Sequence, residues 1–178
     1  MELKPAQKSQ YRVCKALYRT AFPACERQPF WFLLRQQKRG VSRLYAATDE
    51  NGNFLGLAVL VPREGIVMIN YLAVMESHRG SGVGGQMLAA IRALYPYHRI
   101  VLEIETPNPA LPDHSLRSRR ESFYLRSGYT RTGVRLHIGG NDMTLLSLGG
   151  HVSYAEYCKI QQNALGPLIW KRLRVHPL

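Results

Sequence analysis

Three features that mark particular classes of protein are scarce in this chain. It has only 3 cysteines in 178 residues, and their odd number and irregular spacing match neither a disulfide framework nor a zinc site. No apolar run approaches the roughly 20 residues that a membrane-spanning helix needs. The first residues lack the apolar core of a secretory signal. These absences predict free thiols, no bound metal, no membrane span and a cytoplasmic location.

Acidic residues are also scarce. Aspartate and glutamate together number 12 against 24 lysines and arginines, so the formal net charge is +12. Basic residues cluster at 117–120 and at 171–174. A positive field of this size attracts a nucleic acid, an acidic protein surface or a phosphorylated cofactor. A solvated basic face that keeps the protein soluble is the alternative, and charge alone does not choose between them.

Hydrophobic periodicity and turn residues predict alternating helices and strands in a single domain over residues 1–178. Predicted helices cover 6–21, 29–40, 82–95, 117–127 and 153–163, and predicted strands cover 41–48, 54–61, 65–74, 100–105, 130–137 and 143–148. Ser153 and Glu156 have the spacing of a capping box at the start of the last helix. The order is ααβββαβαββ with a further helix at the carboxyl end. Because 65–105 is a strand–helix–strand unit, two strands must be parallel, which predicts an α/β fold with a mixed sheet.

The segment HRGSGVGGQ at 78–86 holds four glycines in six positions, directly ahead of a predicted helix. Glycine is costly to order, so such a run needs a compensating interaction. Successive backbone N–H groups at a helix start form a cradle for an anion, and glycine lets a phosphate approach closely. Arg79 adds a positive charge and Ser81 a hydroxyl. The segment predicts a pyrophosphate site, and a tight turn that needs positive φ is the structural alternative.

Two common nucleotide motifs fit this glycine run poorly. A P-loop needs Lys followed by Ser or Thr after its last glycine, whereas Gln86 and Met87 follow Gly85. The dinucleotide pattern G-x-G-x-x-G is formally present, but residues 75–79 separate it from the strand that it should close. The chain also lacks the later strand–helix units of a doubly wound sheet. Neither ATP nor NAD is therefore the expected ligand.

The pattern Arg79-x-x-Gly82-x-Gly84, after a strand and before an amphipathic helix, resembles the acetyl-CoA motif of the GNAT superfamily of N-acetyltransferases. YLRSGY at 124–129 resembles the family's Y-x-x-x-G-F/Y segment. The order of elements also fits that fold over nearly the whole chain. Three further segments, CERQPFW at 25–31, LEIE at 102–105 and Arg120-x-x-x-Tyr124, resemble a bacterial subgroup of the family whose substrate is unassigned.

The resemblance implies that acetyl-CoA is the cofactor. Its pantetheine arm would lie between the strands at 66–74 and 100–105 and pair with the main chain of Leu72, Ala73 and Val74. The pyrophosphate would be wrapped by a segment made of Arg79, Gly80, Ser81, Gly82, Val83, Gly84 and Gly85. Asn108 would contact the cofactor arm.

The implied reaction is transfer of the acetyl group to a primary amine by direct attack. The amine must react as the free base, so its proton has to be removed. A main-chain N–H near Leu72 and Ala73 would stabilise the oxyanion. The resemblance assigns Tyr124 as the general acid that protonates the departing thiolate. A tyrosine that simply packs between helix and sheet is the alternative.

The candidate bases are two carboxylates on one strand. Glu103 and Glu105 share a face, about 7 Å apart, and a carboxylate pair near a cleft can raise one pKa into a useful range. They could instead hold the substrate's ammonium group. Ion pairs with Arg117, Arg119 or Arg120 are an equally good structural interpretation.

Other groups could serve the acceptor. Glu26 lies in the loop between the first two helices, which borders the acceptor site in the family, and is a candidate for substrate binding. His114 and His137 rank lower, because a lone histidine is more often only hydrogen-bonded. Water could relay the proton without any dedicated base.

The acceptor and the partners stay open at this point. Acidic residues near the site suit a cationic acceptor, such as a polyamine, an aminoglycoside, an amino acid or a protein amine. The basic clusters instead suit docking on an acidic body such as a ribosome. Two other interpretations are a basic nucleic-acid-binding protein and a GNAT fold that binds CoA without catalysis. A homodimer formed through the apolar tail around Trp170 is a further expectation.

Overall fold

The computed structural model describes residues 1–24, 26–173 and 175–178, without side-chain detail at 167–169. The chain divides into two compact units. The first contains Met1–Pro62 and Ile69–Pro96, and the second contains Arg63–Met68 and Tyr97–Leu178. The interpretation of residues 1–178 as one domain stays a prediction.

The first unit combines three helices with the first strands of the chain. The helices are α1 (Tyr11–Ala21), α2 (Phe30–Lys38) and α3 (Val83–Leu94), and the strands are β1 (Glu2–Pro5), β2 (Arg43–Thr48), nearly all of β3 (Phe54–Arg63) and the later part of β4 (Ile66–Val74). Strand β1 pairs antiparallel with β2, and β2 pairs antiparallel with β3. Strand β4 is the next neighbour of β3.

The core of the first unit forms on the apolar side of α1. Three and four residues after Cys14 come Leu17 and Tyr18, so the three side chains lie on one side of the helix. All three are buried. They join one hydrophobic cluster with residues of α2, β2, β3 and β4, among them Leu33 and Tyr71. Burial of these side chains from separate elements stabilises the unit through the hydrophobic effect.

The second unit contains the remaining elements. They are β5 (Arg99–Glu105), α4 (His114–Arg126), β6 (Thr130–Ile138), β7 (Asn141–Leu148), α5 (Tyr154–Leu165), α6 (Pro167–Arg172) and β8 (His176–Pro177). Residues 66–68 of β4 pair parallel with residues 99–101 of β5. Strand β5 then pairs antiparallel with β7, and β6 pairs antiparallel with β7 and β8.

Strand β4 takes part in both units, and the strand order through it is β1-β2-β3-β4-β5-β7-β6-β8. The predicted α/β fold with a mixed sheet is therefore confirmed, including the parallel pair. All five predicted helices and all six predicted strands are present, with ends displaced by a few residues. The largest displacement is at α1, where a short 3-10 turn at Lys8–Gln10 precedes a helix predicted from residue 6.

Three short elements were not predicted. Strands β1 and β8 have four and two residues, and α6 has six. Strand β1 ends in Pro5 and β8 in Pro177, and proline is typical of edge strands or strand ends because it cannot donate a backbone hydrogen bond. Such strands exist because a neighbouring strand offers them a pairing edge, which local sequence does not reveal.

The expectations of free thiols and of no membrane-spanning helix can be compared with the described residues. Cys14 and Cys158 are free thiols, as predicted. Cys25, and Arg174 of the second basic cluster, lie outside the described residues. In the described part of the chain, no helix is both long enough and apolar enough to cross a membrane.

Candidate functional site

The predicted anion cradle lies at the start of α3. Gly82 is the N-cap of the helix with φ +88°, and Gly80 has φ +83°. The backbone N–H groups of residues 80–85 donate to no acceptor in the described part of the chain, and the first donor of the helix is the N–H of Gln86, 3.1 Å from the Gly82 carbonyl. Free N–H groups at a helix start, together with the helix dipole, attract an anion. This geometry suits an anion, and binding of a pyrophosphate here stays a prediction.

Positive φ explains only part of the glycine run. Gly80 and Gly82 adopt left-handed backbone conformations, so the alternative of a tight turn accounts for these two. Gly85 lies inside the helix without a positive φ, and a Cβ added there would meet no atom within 4 Å. A glycine in a helix costs about 1 kcal/mol relative to alanine. Neither backbone nor packing requires glycine at this position, whereas the close approach of a ligand would.

The end of β4 has a free main-chain edge. Pairing of β4 with β5 covers residues 66–68 of β4, and in the described part of the chain no further strand pairs with that edge. The Ala73 carbonyl faces β3, because a Cβ on Gly56 would lie 2.5 Å from its oxygen. Main-chain groups alternate along a strand, so those of Leu72 and Val74 face the free edge.

This alternation distinguishes the three predicted main-chain partners of the cofactor arm. The Ala73 carbonyl faces β3, whereas the main-chain groups of Leu72 and Val74 face the free edge, and pairing of any of them with the cofactor arm stays a prediction. The sequence showed that the strand ends at these residues but not which of them faces a neighbour, since that depends on strand pairing.

The loop at 22–29 is held by two buried tyrosines. The Tyr71 hydroxyl donates to the Glu26 carbonyl at 2.9 Å and accepts from the Gln28 N–H at 3.3 Å. The Tyr18 hydroxyl donates to the Gln28 carbonyl at 3.1 Å, and burial raises the pKa of this phenol. The side chain of Glu26 is exposed, while Arg27 Nε and Gln28 Oε1 are buried and have no hydrogen-bond partner among the described residues. The main chain is thus held by hydrogen bonds at Glu26 and Gln28, and two polar side-chain atoms of the described part of the loop lack a partner.

Tyr124, the predicted acid, lies in α4 of the second unit and is 9% exposed. Its ring packs near Phe123 and Tyr129, with centroid distances of 5.0 and 5.8 Å. Burial raises the pKa of Tyr124 to about 12, and the charge of Arg120 opposes this rise. The phenol is therefore protonated at neutral pH, as a proton donor must be. The packing of the ring also agrees with the alternative that Tyr124 has only a structural role.

Glu105, one of the predicted bases, is held in ion pairs. Its two oxygens lie 3.0 Å from Arg117 Nη2 and 3.3 Å from Arg120 Nη1. Arg117 is almost fully buried and also pairs with Asp113 at 2.7 Å. The ion-pair alternative for Glu105 matches these contacts, and its assignment as a base stays a prediction that competes with two guanidinium groups for the same oxygens.

Glu103 contacts a different helix. It accepts a hydrogen bond from the Tyr157 hydroxyl and one from Gln161 Nε2 at 3.5 Å, both on α5. Burial, and the charge of Glu103, raise the pKa of Tyr157 well above its usual value. The predicted pair of carboxylates is thus divided between α4 and α5. Sequence reasoning missed Tyr157 and Gln161, although two polar side chains four residues apart on a buried helix face were a usable signal.

The remaining candidates have ordinary local partners. Asn108 is exposed, and its Oδ1 accepts from the Ala110 N–H at 3.0 Å, which closes a turn. His114 bonds to a serine one turn further along α4, and His137 pairs with Asp142 at 2.8 Å. Contact of Asn108 with the cofactor arm stays a prediction.

Comparison with known proteins agrees with the motifs. Residues 40–131, just over half of the chain, match the family model of the acetyltransferase (GNAT) domain. This match includes the cradle, the free edge of β4 and Tyr124. Among curated proteins, none matches the chain.

Solved structures of acetyltransferases have the same fold. A Bacteroides thetaiotaomicron protein assigned to the GNAT family aligns with a TM-score of 0.74 at 20% identity, covering 94% of this chain and 98% of that one. An aminoglycoside 6'-N-acetyltransferase complexed with coenzyme A aligns at 0.67 and 16% identity over 83% and 96% of the chains. The spermidine/spermine N-acetyltransferase of Vibrio cholerae aligns at 0.59 and 16% over 83% and 92%. Because the family model matches more than half of the chain, the chain belongs to the GNAT acetyltransferase family, whose cofactor is acetyl-CoA.

Proposed function

We propose that this protein transfers the acetyl group of acetyl-CoA to a primary amine by direct attack, with Tyr124 as the general acid. The observation that carries the proposal is the continuity of unpartnered main chain in the first unit. The free edge of β4 at Leu72 and Val74 leads, within a few residues, to the free N–H groups of 80–85. A long ligand with amides at one end and phosphates at the other matches this order of groups.

The first unit supplies the cofactor-binding groups. The N–H groups of 80–85 bind the pyrophosphate, and the exposed side chain of Arg79 adds charge to it. The main chain of Leu72 and Val74 pairs with the amides of the pantetheine arm. Leu72 and Val74 lie on β4, and residues 80–85 lead into the first turn of α3.

When bound, acetyl-CoA supplies a thioester whose carbonyl carbon the amine attacks. A new C–N bond forms and the C–S bond breaks, with the electron pair leaving on sulfur. The Leu72 N–H donates to the carbonyl oxygen while that oxygen carries negative charge. Tyr124 gives its phenolic proton to the sulfur and regains a proton from solvent.

The amine loses its proton to water rather than to a glutamate. Glu105 is occupied by Arg117 and Arg120, and Glu103 by Tyr157 and Gln161. Both oxygens of Glu105 and Oε2 of Glu103 are engaged by other side chains, so we assign neither carboxylate as the general base. Water relay, one of the alternatives in the sequence analysis, is the mechanism that we propose.

The loop at 22–29, hereafter the acceptor loop, binds the amine. Glu26 offers an exposed carboxylate to an ammonium group. Gln28 Oε1 is a buried acceptor without a hydrogen-bond partner among the described residues, and an ammonium group of a bound ligand would satisfy it. Two of the similar structures are named as acetyltransferases of spermidine and of aminoglycosides, both of which carry several amines. A small polycationic acceptor is consistent with these features.

Thermal unfolding of the full chain tests the cofactor site. We expect acetyl-CoA and CoA to raise the midpoint and NAD and ATP to leave it unchanged. A ligand at about 100 times its Kd adds about 2.7 kcal/mol, which moves the midpoint of a chain of this size by several degrees. Release of free thiol with spermidine or an aminoglycoside then tests the acceptor class. The absence of a shift with both CoA species would contradict the proposal.

A further inference from the structure

Tyr71 occupies a position that joins the two proposed binding regions of the first unit. Its ring is 8% exposed and makes edge contacts with Tyr18 and Phe22, at centroid distances of 4.8 and 4.9 Å. Its hydroxyl bonds to the main chain of both Glu26 and Gln28. The next residue in the chain is Leu72, whose main chain faces the free edge of β4.

We infer that Tyr71 is a positioning residue that makes the conformation of the acceptor loop depend on occupation of the free edge of β4. This inference rests on the proposed function. We assign Tyr71 no direct contact with the cofactor or the amine.

The physical argument starts from the strand. Residues 69–74 of β4 have a strand neighbour on the β3 side, whereas residues 66–68 are also paired with β5. A ligand that pairs with Leu72 and Val74 supplies backbone hydrogen bonds on the unpaired side of β4. These bonds reduce the backbone fluctuations of residues 69–74. Tyr71 directly precedes Leu72 in the same stretch, so its side chain becomes better ordered too.

Two hydrogen bonds of the Tyr71 hydroxyl couple the ordering of this residue to that of the acceptor loop. The ring is confined by Tyr18 and Phe22, so the hydroxyl cannot follow the loop if the loop moves away. Binding that orders one site lowers the entropic cost of ordering the other, which gives positive coupling without a large structural change. The cofactor would thus prepare the acceptor loop before the amine arrives.

Amide hydrogen exchange on the full chain, with and without CoA, tests the inference. In the wild type we expect CoA to slow exchange of the amides in 22–29. In Tyr71→Phe, the Gln28 amide loses its acceptor, and we expect it to exchange about fivefold faster without CoA, as for the loss of one hydrogen bond. CoA should no longer slow exchange of the loop, while the Kd for CoA stays within twofold of the wild type.

Tyr45→Phe is the matched control. Tyr45 is a buried tyrosine of the same unit whose hydroxyl bonds to that of Tyr95 at 3.3 Å. We expect this variant to lose a similar amount of stability and to keep the CoA-dependent slowing of the acceptor loop. The inference is wrong if CoA binds the wild type without slowing the loop, or if the slowing persists in Tyr71→Phe. A failure of CoA to bind at all would instead overturn the proposed function.

Discussion

Tyr124 combines burial with a protonated phenol, and both properties bear on its proposed role. Phenylalanine at this position keeps the ring packing and removes only the proton that the departing sulfur would take. We expect Tyr124→Phe to lower kcat by roughly 100-fold or more and to leave the Kd for CoA unchanged. Thiol release with saturating acetyl-CoA measures the rate. Tyr129→Phe, in the same ring cluster, serves as a control that should keep kcat.

The pH dependence of the same rate follows from the raised pKa of Tyr124. Because the acid must be protonated and its pKa is about 12, the rate should rise as the amine loses its proton and should not fall again below about pH 11. An ordinary tyrosine would begin to lose its proton near pH 10. A decline near pH 10 in the wild type would argue against this acid.

Gly85 offers a test of the cradle that avoids backbone strain. Valine there is compatible with the helical backbone, and side chains on a helix lean towards its amino end, here the proposed phosphate site. We expect Gly85→Val to raise the Kd for CoA at least tenfold without lowering the unfolding midpoint. Isothermal titration measures the Kd. Ala89→Val, at an exposed position of the same helix, should leave CoA binding intact, and equal Kd values for both variants would contradict the cradle.

Helix α5 begins with a capping box that the sequence predicted correctly. The Glu156 N–H donates to Ser153 Oγ, the Ser153 N–H donates to the Glu156 carboxylate, and Arg99 pairs with the same carboxylate at 2.7 Å. The hydrogen bond from Arg99, followed by those from Ser153, lowers the pKa of Glu156 to about 2. The helix start is therefore stabilised by a carboxylate that stays ionised in mild acid.

The lowered pKa makes the contribution of this box depend on pH. Because the folded-state pKa is below the ordinary value, the stabilisation is present above about pH 4.5 and is lost as pH falls towards 2. Glu156→Gln should lower the free energy of unfolding by about 1 kcal/mol at pH 7, the value of a cap, since a side chain that is about one-third exposed is screened by solvent. At pH 2 the variant and the wild type should differ little. Urea unfolding at the two pH values measures this, and an equal difference at both would contradict the assignment.

The net charge of +12 creates a positive electrostatic field around the whole protein. A phosphorylated ligand is drawn to a positive field, and salt screens this attraction. We expect the Kd for CoA to rise several-fold between 50 and 500 mM salt, with most of the change in the association rate. Dephospho-CoA, which lacks the 3′-phosphate, should respond less. Equal salt dependence of both ligands would indicate that the charge serves another partner.

Sequence reasoning did not predict the interactions between residues that lie far apart along the chain. Glu103 meets Tyr157 and Gln161, 54 and 58 residues further along the chain, only because α5 packs beside β5. The hydrogen bond from Tyr71 to the acceptor loop joins it to Glu26, 45 residues earlier in the chain. Spacing within a segment predicts which residues share a face, whereas contacts over such distances depend on how the elements pack.

The amino-acid sequence by itself determined the longer elements, the mixed sheet and the glycine-rich start of α3. Glycines at 80–85, the capping residues of α5 and the apolar period of each strand act within a few residues, where backbone sterics and local hydrogen bonds decide the outcome. Only the tertiary structure decided that Ala73 faces β3, that Glu105 is engaged by two arginines and that Tyr71 holds the acceptor loop. Each of these depends on which strand or helix lies alongside, and that is settled by burial of apolar surface over the whole chain rather than by any local segment.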